Sequence, residues 1–313
     1  MEQSNKTTEA ILYTLLYVAI FMFSIFIPFF IIIGFVFMPI PIIAFTAKYN
    51  VRNGLVISLI LAIFSFLIGS YVALSITAVM VIGALMIGHM MYKQASAYET
   101  LLYGTIGYAI GLVFAYACSH IFLQVNWLDM FTQSLDESIE TFTMFVKQLG
   151  LDTNVEAQIE IIEQQVIQLT YSFTAILIMI ATALSFITQW LAYKWVNWRH
   201  KKAYYFPPFR TFNFPVILIW IHLLAIIFQY TSLEEGSLLY IATINVFAIT
   251  TLCIIIQGFS FIFYFAYAKK INISVPIIIV ILSIIFAPIF LIFIRFIGII
   301  DIGFRWKSRI QPK

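Results

Sequence analysis

The stretch Phe35–Ser70, FVFMPIPIIAFTAKYNVRNGLVISLILAIFSFLIGS, decides how this chain is read. It opens with an apolar run, Phe35–Ala47, that is short for a membrane span and carries Pro39 and Pro41. A cationic turn with Lys48 and Arg52 follows, and Gly54 then opens a longer apolar run. A hydrocarbon core of about 30 Å takes roughly twenty apolar helical residues to cross. The second run meets that length and the first does not. Proline in a membrane helix frees a carbonyl and bends the chain. A bent, short span beside a full one therefore predicts a depressed or partly unwound entrance on the side away from the basic turn.

The remaining sequence is of the same kind. Of 313 residues, 63% are hydrophobic and 10% charged, and mean hydropathy is +1.01. Soluble domains run nearer to about half apolar and a quarter charged, so a soluble globular protein is excluded. Apolar segments fall at Ala10–Ile33, Phe35–Ala47, Gly54–Ser70, Val72–Met91, Leu101–Leu123, Thr170–Lys194, Phe214–Tyr230, Leu238–Ala268 and Val275–Ile297. Unpaired backbone is expensive in lipid, so each is expected to be helical. The expected fold is all-α, a polytopic integral membrane bundle of about eight or nine spans. Its parts are an N-terminal bundle (1–124), an external segment (125–169) and a C-terminal bundle (170–313) with a basic loop at 194–213.

Lysine and arginine placement orients the bundle. Lys48 and Arg52, Lys93, the loop with Lys194, Arg199, Lys201, Lys202 and Arg210, and the pair Lys269–Lys270 all fall on one side if each segment crosses once. That side is expected to be cytoplasmic, with the N-terminus on it. The first apolar run has no small-residue cleavage site behind it and is expected to be a retained span. The last segment is the exception. Arg295 and Pro288 within it point to a bent or re-entrant course, and Asp301 is placed six residues from Arg295 as a pairing candidate.

Residues 126–168 face the other way and are acidic. Leu128, Phe131, Leu135, Ile139, Phe142, Val146 and Leu149 recur at three- and four-residue steps, as do Val155, Ile159, Ile162, Val166 and Leu169. That spacing marks one apolar face on each of two helices. An external amphipathic hairpin, broken at LGLDTN and capping the outer mouth, is expected.

Chemistry-bearing residues are few. Tyr116, His120 and Gln124 stand at four-residue steps at the outer end of the fifth segment and form the candidate wall of a ligand pocket open to the outside. With no carboxylate in the spans to meet a cation and an acidic entrance to repel an anion, a small neutral molecule is the expected ligand. Arg199, Lys201, Lys202 and Arg210 form the candidate docking surface for a cytoplasmic or membrane protein partner, because PPF in the same loop adds a stiffness that topology alone does not require. His222, Gln229, Asn245, Gln257 and Gln189 are intramembrane polar groups that act as glue or mark a pathway. Gly107 and Gly111, with Gly104, offer a small face for close helix packing. No GxSxG, HExxH or Walker sequence is present, and no Cys/His cluster. No enzyme activity, cofactor, metal or nucleic-acid partner is expected, and the bilayer is the constant partner.

Two resemblances add to this. The order of a proline-bearing first span, a short proline-marked second span, a cationic turn and NGLVISLILAIFSFLIG resembles the N-terminal half of S components of energy-coupling-factor (ECF) transporters, over roughly Thr8–Leu123. That resemblance implies a small molecule bound from outside. YYFPPFRTFNFP (Tyr204–Pro215), IIIQGFSFIFYF (Ile254–Phe265) and IGIIDIGFRWKSR (Ile297–Arg309) resemble recurring segments of the YybS-like membrane proteins of low-GC Gram-positive bacteria, a likeness that spans nearly the whole chain. It implies a membrane protein and brings no activity with it. Two functions follow as expectations: S-component-like binding or transport of a small molecule, or a scaffold that organises envelope or signalling partners through the basic loop.

Overall fold

The computed structural model describes residues 2–27, 30–148 and 166–310. Pro28, the LGLDTN break and the apolar positions Val155, Ile159 and Ile162 lie outside these residues. Among the described residues the regular structure is helical, with no strand. In chain order the helices are α1 (Glu2–Phe26), α2 (Ile31–Phe37), α3 (Pro39–Tyr49), α4 (Val51–Tyr92), α5 (Ala97–Leu123), α6 (Trp127–Gln148), α7 (Phe173–His200), α8 (Ile217–Gln229), α9 (Leu238–Ala268), α10 (Ser274–Ile285), α11 (Ala287–Phe304) and α12 (Trp306–Arg309). Eight stretches are long and apolar enough to cross a membrane, and α8 and α10 are shorter apolar helices. The protein is a polytopic helical membrane bundle.

The chain forms two compact units. The first takes residues 1–162 with 176–206, and the second takes 163–175 with 207–313.

In the first unit α3 is the central element. Every residue from Pro39 to Thr46 is buried. The short run does not stand alone, because α2 extends it to an apolar stretch of 18 residues, Ile32–Tyr49. The two helices join at Met38, whose N–H still bonds the Gly34 carbonyl at 2.8 Å. Pro39 opens α3 at a position where a helix has no use for an N–H. The expected unwound entrance is thus a bend between two helices. Asn50, at φ 76°, turns the chain into α4, and its side chain accepts from the N–H groups of Arg52 and Asn53.

Helical hydrogen bonding runs through all of α4, yet α4 is not one rod. At 1.5 Å per residue, Ser65 and Thr77 would be about 18 Å apart in a straight helix. Their hydroxyls are 2.6 Å apart, and Gly54 lies against Leu85. The helix doubles back on itself, with arms Val51–Gly69 and Tyr71–Tyr92. These are the two spans read from the sequence. The second arm packs on α5 through the expected small face: a Cβ on Gly111 would meet the Val79 backbone at 2.7 Å, and one on Gly107 the Ile82 carbonyl at 3.0 Å.

Helix ends gather at one end of this unit. Glu9 on α1 pairs with Lys48 on α3 at 2.6 Å, and Tyr13 meets His200 of α7 at 3.3 Å. Gln94, just past α4, donates to the Tyr204 hydroxyl at 2.8 Å. Basic positions from three separate turns therefore share one end.

The last apolar segment is broken as Pro288 suggests. Phe286 (φ −107°, ψ 43°) separates α10 from α11. With 12 residues, about 18 Å, α10 is too short to cross. Successive contacts Ile254–Gly298, Gln257–Asp301, Phe261–Trp306 and Tyr264–Ile310 make α11 run parallel to α9. The chain enters with α10 and returns with α11, so the Ile310 carbonyl accepts from the Tyr264 hydroxyl at 2.9 Å, one turn before the end of α9.

In α6, Leu128, Phe131, Leu135, Ile139 and Val146 are half-buried, while Phe142 is exposed. The stripe read from the sequence is present on this helix. Its partner in the expected hairpin falls largely among residues outside the described ones.

Candidate functional site: a buried ionic cluster

Gly258 and Gly298 mark the crossing of α9 and α11. A Cβ on Gly258 would collide with the Ile294 carbonyl oxygen, and one on Gly298 with that of Ile254. Without side chains at these positions the two backbones touch. That contact brings Gln257, Ser260 and Asp301 together, all essentially inaccessible, and α12 folds Lys307 back onto them.

Asp301 Oδ2 accepts from Gln257 Nε2 at 2.5 Å and lies 3.5 Å from Lys307 Nζ. Its Oδ1 accepts the Lys307 backbone N–H at 3.0 Å. Lys307 Nζ donates to the Phe212 carbonyl at 2.6 Å, to Ser260 Oγ at 2.8 Å and to Asn213 Oδ1 at 3.2 Å, which uses all three ammonium donors. Gln257 also donates to Asn213 Oδ1 at 3.0 Å, and its Oε1 accepts the Phe214 N–H at 2.9 Å. Ser260 Oγ lies 2.7 and 3.0 Å from the carbonyls of Phe209 and Phe212. Burial pushes the Lys307 ammonium below the usual lysine range, and Asp301 opposes that shift.

The recipient of these bonds is the stretch Phe209–Phe214, a single 3-10 turn (Phe209–Thr211) followed by irregular backbone, which lies along the apolar C-terminal half of α9. Irregular backbone cannot satisfy its own groups, and in apolar surroundings it persists only where protein groups do so for it. Lys307, Ser260 and Gln257 supply those partners, and Asp301 holds Lys307 and Gln257 in place. The stretch also holds Arg210, whose guanidinium lies over the Tyr267 ring at 4.1 Å.

The preceding half of the loop is fastened within the first unit. Asn197 brackets Tyr204, donating to its carbonyl at 2.7 Å and accepting its N–H at 2.9 Å. Tyr204 in turn donates to the Met91 carbonyl at 3.0 Å, and Phe206 packs on Phe186 and Tyr193. Between these anchors Arg199, Lys201 and Lys202 remain exposed. A groove of about 420 Å³ beside them is lined by Lys48, Gln94, His200, Lys202 and Tyr204.

The three ladder residues are placed differently. Tyr116 and His120 stack, with ring centroids 6.1 Å apart, and Tyr116 donates to Asn126 Oδ1 at 3.3 Å while meeting the Trp127 ring edge-on. Gln124 ends α5 in the left-handed region at φ 55°, so the four-residue ladder stops at His120. His120 and Gln124 are exposed. Neither the basic groove nor the apolar cleft around Leu16, Pro41 and Trp198 is lined by any of the three.

Asp301 does not pair with Arg295. Its partner is Lys307, six positions the other way, and a helix turns both of those spacings to its far side. The left-handed turn at Arg305 (φ 50°) redirects the chain and makes the Lys307 pairing geometrically open. Helical periodicity gives no hint of this. The signal was elsewhere: each of the three segments that resemble YybS-like proteins carries polar residues in apolar surroundings, and those residues meet here. The other intramembrane amides act as glue. Asn245 accepts the Ala175 N–H and donates to the Tyr171 carbonyl, while Gln189 donates to the Ala97 carbonyl and Tyr193.

Comparison with known proteins agrees with the class. The chain is 24% identical to the uncharacterized protein YybS of Bacillus subtilis (strain 168) over 314 residues, covering 99% of this chain and 100% of that protein. No solved structure matches. Residues 15–302 match the family described as "Predicted membrane protein (DUF2232)", and the chain belongs to that family.

Proposed function

We propose that this protein is a membrane docking scaffold, with the N-terminus and the loop 194–213 on the cytoplasmic side of the cell membrane, and that Arg199, Lys201 and Lys202 receive an acidic protein partner. The observation that carries this reading is the fastening of Phe209–Phe214 by Lys307, Ser260 and Gln257, with Asp301 holding Lys307 and Gln257. A loop that only fixes topology needs charge, not conformation. Burying an ion pair is costly unless its hydrogen bonds are met, so the expense fits a surface that must keep one shape. Arg210 is held on Tyr267 and acts in shaping the loop.

The S-component-like reading, with transport of a small neutral molecule, rests on Tyr116, His120 and Gln124. The exposure of His120 and Gln124 gives it less support than the loop gives docking.

Site-specific photocrosslinking from position 201 in living cells tests the choice. A discrete adduct that disappears when Arg199 and Lys202 are changed to Glu, and that weakens with salt in isolated membranes, is the expected result. Absence of any adduct, together with a small molecule that copurifies with wild type and is lost in His120→Leu, would replace docking with the binding reading.

A further inference from the structure

A second charge in the second unit has no counter-ion among the described residues. Arg295 sits at the middle of α11, nine residues from its end at Phe304, which is about 13 Å along the axis. No described carboxylate pairs with it, and its Nε is buried without a hydrogen-bond partner. Its guanidinium lies 5.9 Å from the centroid of the Phe247 ring, and the ring of His222 stacks on that same phenylalanine at 5.1 Å. His222 is a second base and not a counter-charge; its Nδ1 is engaged by Thr250 and its Nε2 is unpartnered. On the neighbouring face of α11, Ile292, Phe293 and Phe296 are at least half exposed.

We propose that Arg295 and this apolar face form an interaction surface for a partner transmembrane helix that carries an Asp or Glu near mid-depth. An uncompensated arginine within a span is expensive, and such residues pair with an opposite charge or reach water. Lipid phosphates lie outside a hydrocarbon layer about 15 Å deep on each side, beyond the arginine's level. Among the described residues a second copy of this chain offers no free carboxylate at that depth. Its described acids lie at helix ends, on α6, at Glu234 and Glu235, or at Asp301, which is already engaged. The complement is therefore a different membrane protein. Charge supplies the recognition, and Ile292, Phe293 and Phe296 supply the packing that a helix pair needs. This inference does not rest on the basic loop and stands or falls separately from it.

The test uses the full chain in phosphatidylcholine vesicles. The probe is a lysine-flanked, leucine-rich transmembrane peptide with Glu or Leu at its centre, and energy transfer reports association. Wild type is expected to bind the Glu peptide about tenfold more tightly than the Leu peptide. That preference is expected to vanish in Arg295→Leu and to persist in Arg295→Lys. Protection of the Phe214 amide reports folding of each variant; if Arg295→Leu loses it, Arg295→Gln takes its place, keeping hydrogen-bonding capacity without the charge. Equal binding of the two peptides to wild type, or a Glu preference that survives loss of the charge, overturns the proposal. So does indifference to Glu combined with phosphatidylglycerol that is retained by wild type and lost in Arg295→Leu, which would assign the charge to a lipid phosphate.

Discussion

The two units solve the same problem with different chemistry. Inside the first, buried polar contacts between helices are neutral: Tyr17 donates to Thr77 at 3.2 Å, Thr77 meets Ser65 at 2.6 Å, and Tyr108 donates to Thr188 at 3.0 Å. Inside the second, neutral contacts such as His222 with Thr250 at 2.8 Å are joined by an ionic cluster centred on Lys307 and Asp301. The difference follows from the backbone being served. Helices satisfy their own N–H and C=O groups, so the hydroxyls of the first unit only add attraction between finished elements. Phe209–Phe214 has only one 3-10 turn, and the groups that turn leaves open need strong external partners. Charged donors give hydrogen bonds roughly twice as strong as neutral ones. The buried ion pair serves the least regular backbone of the second unit.

The sharpest way to break this contrast is to remove one member of the ion pair. Asp301→Leu leaves Lys307 buried without its carboxylate and the Lys307 backbone N–H without its acceptor. Loss of one partner from such a pair costs about 3–5 kcal/mol, expected as a large fall in unfolding midpoint in detergent and rapid exchange of the Phe214 amide. The double variant Asp301→Leu with Lys307→Met is expected to recover part of the loss, because no lone charge remains. An effect of Asp301→Leu within experimental scatter would show that the cluster is incidental. The pH dependence has a defined sign. Burial lowers the Lys307 pKa in the folded state, so the unfolded chain binds more protons in the alkaline range. Stability then rises with pH between the lowered folded pKa and the free lysine value of about 10.4. Lys307→Met is expected to flatten that slope, read as unfolding midpoint against pH.

A smaller effect is expected from the crossing that assembles the cluster. Gly298→Ala puts a methyl group against the Ile254 carbonyl, which is backbone and cannot swing away. Overpacking of this kind costs about 1–3 kcal/mol. The comparison predicts where the damage goes: α11 shifts, Asp301 leaves Gln257, and exchange at Phe214 accelerates while amides of the first unit keep their protection. Uniform destabilisation of both units would argue against the separate character drawn above.

Much of the fold was legible, because hydropathy and helix length are properties of contiguous sequence. The turn at Asn50, the two spans within Val51–Tyr92 and the close approach through Gly107 and Gly111 follow from local pattern. The ends of elements were less so. The second span was read from Phe35, and Ile32 and Ile33 were read into the first, although Ile32–Tyr49 is one apolar stretch. Whether the last segment returns was open in the sequence, since it depends on the parallel packing of α9 and α11. The cluster was the least legible part. Asn213, Gln257, Asp301 and Lys307 are distant in sequence, and the one pairing that spacing suggested, Asp301 with Arg295, follows no helical period. Side chains that close an irregular loop are set by tertiary contact alone. The Tyr116 ladder shows the converse: regular spacing was visible, but Gln124 ends the helix and departs from it.

The smallest predicted effect tests the neutral half of the contrast. Tyr108 is fully buried between α4 and α7, with Gly83 opposite its ring and its hydroxyl on Thr188. Tyr108→Phe keeps the ring and removes that one bond. Thr188 is not left stranded, because its hydroxyl also donates to the Leu184 carbonyl at 2.7 Å. Interhelical hydrogen bonds in membranes average about 0.6 kcal/mol, so a shift of that order is expected in denaturant unfolding, well below that of Asp301→Leu. Gly83→Ala, by contrast, drives a methyl group into the Tyr108 ring and is expected to cost more than loss of the hydroxyl. If Tyr108→Phe proved the costlier of the two, the first unit would depend on its hydroxyl bonds and not on close packing, and the division of labour between neutral and charged contacts would have to be redrawn.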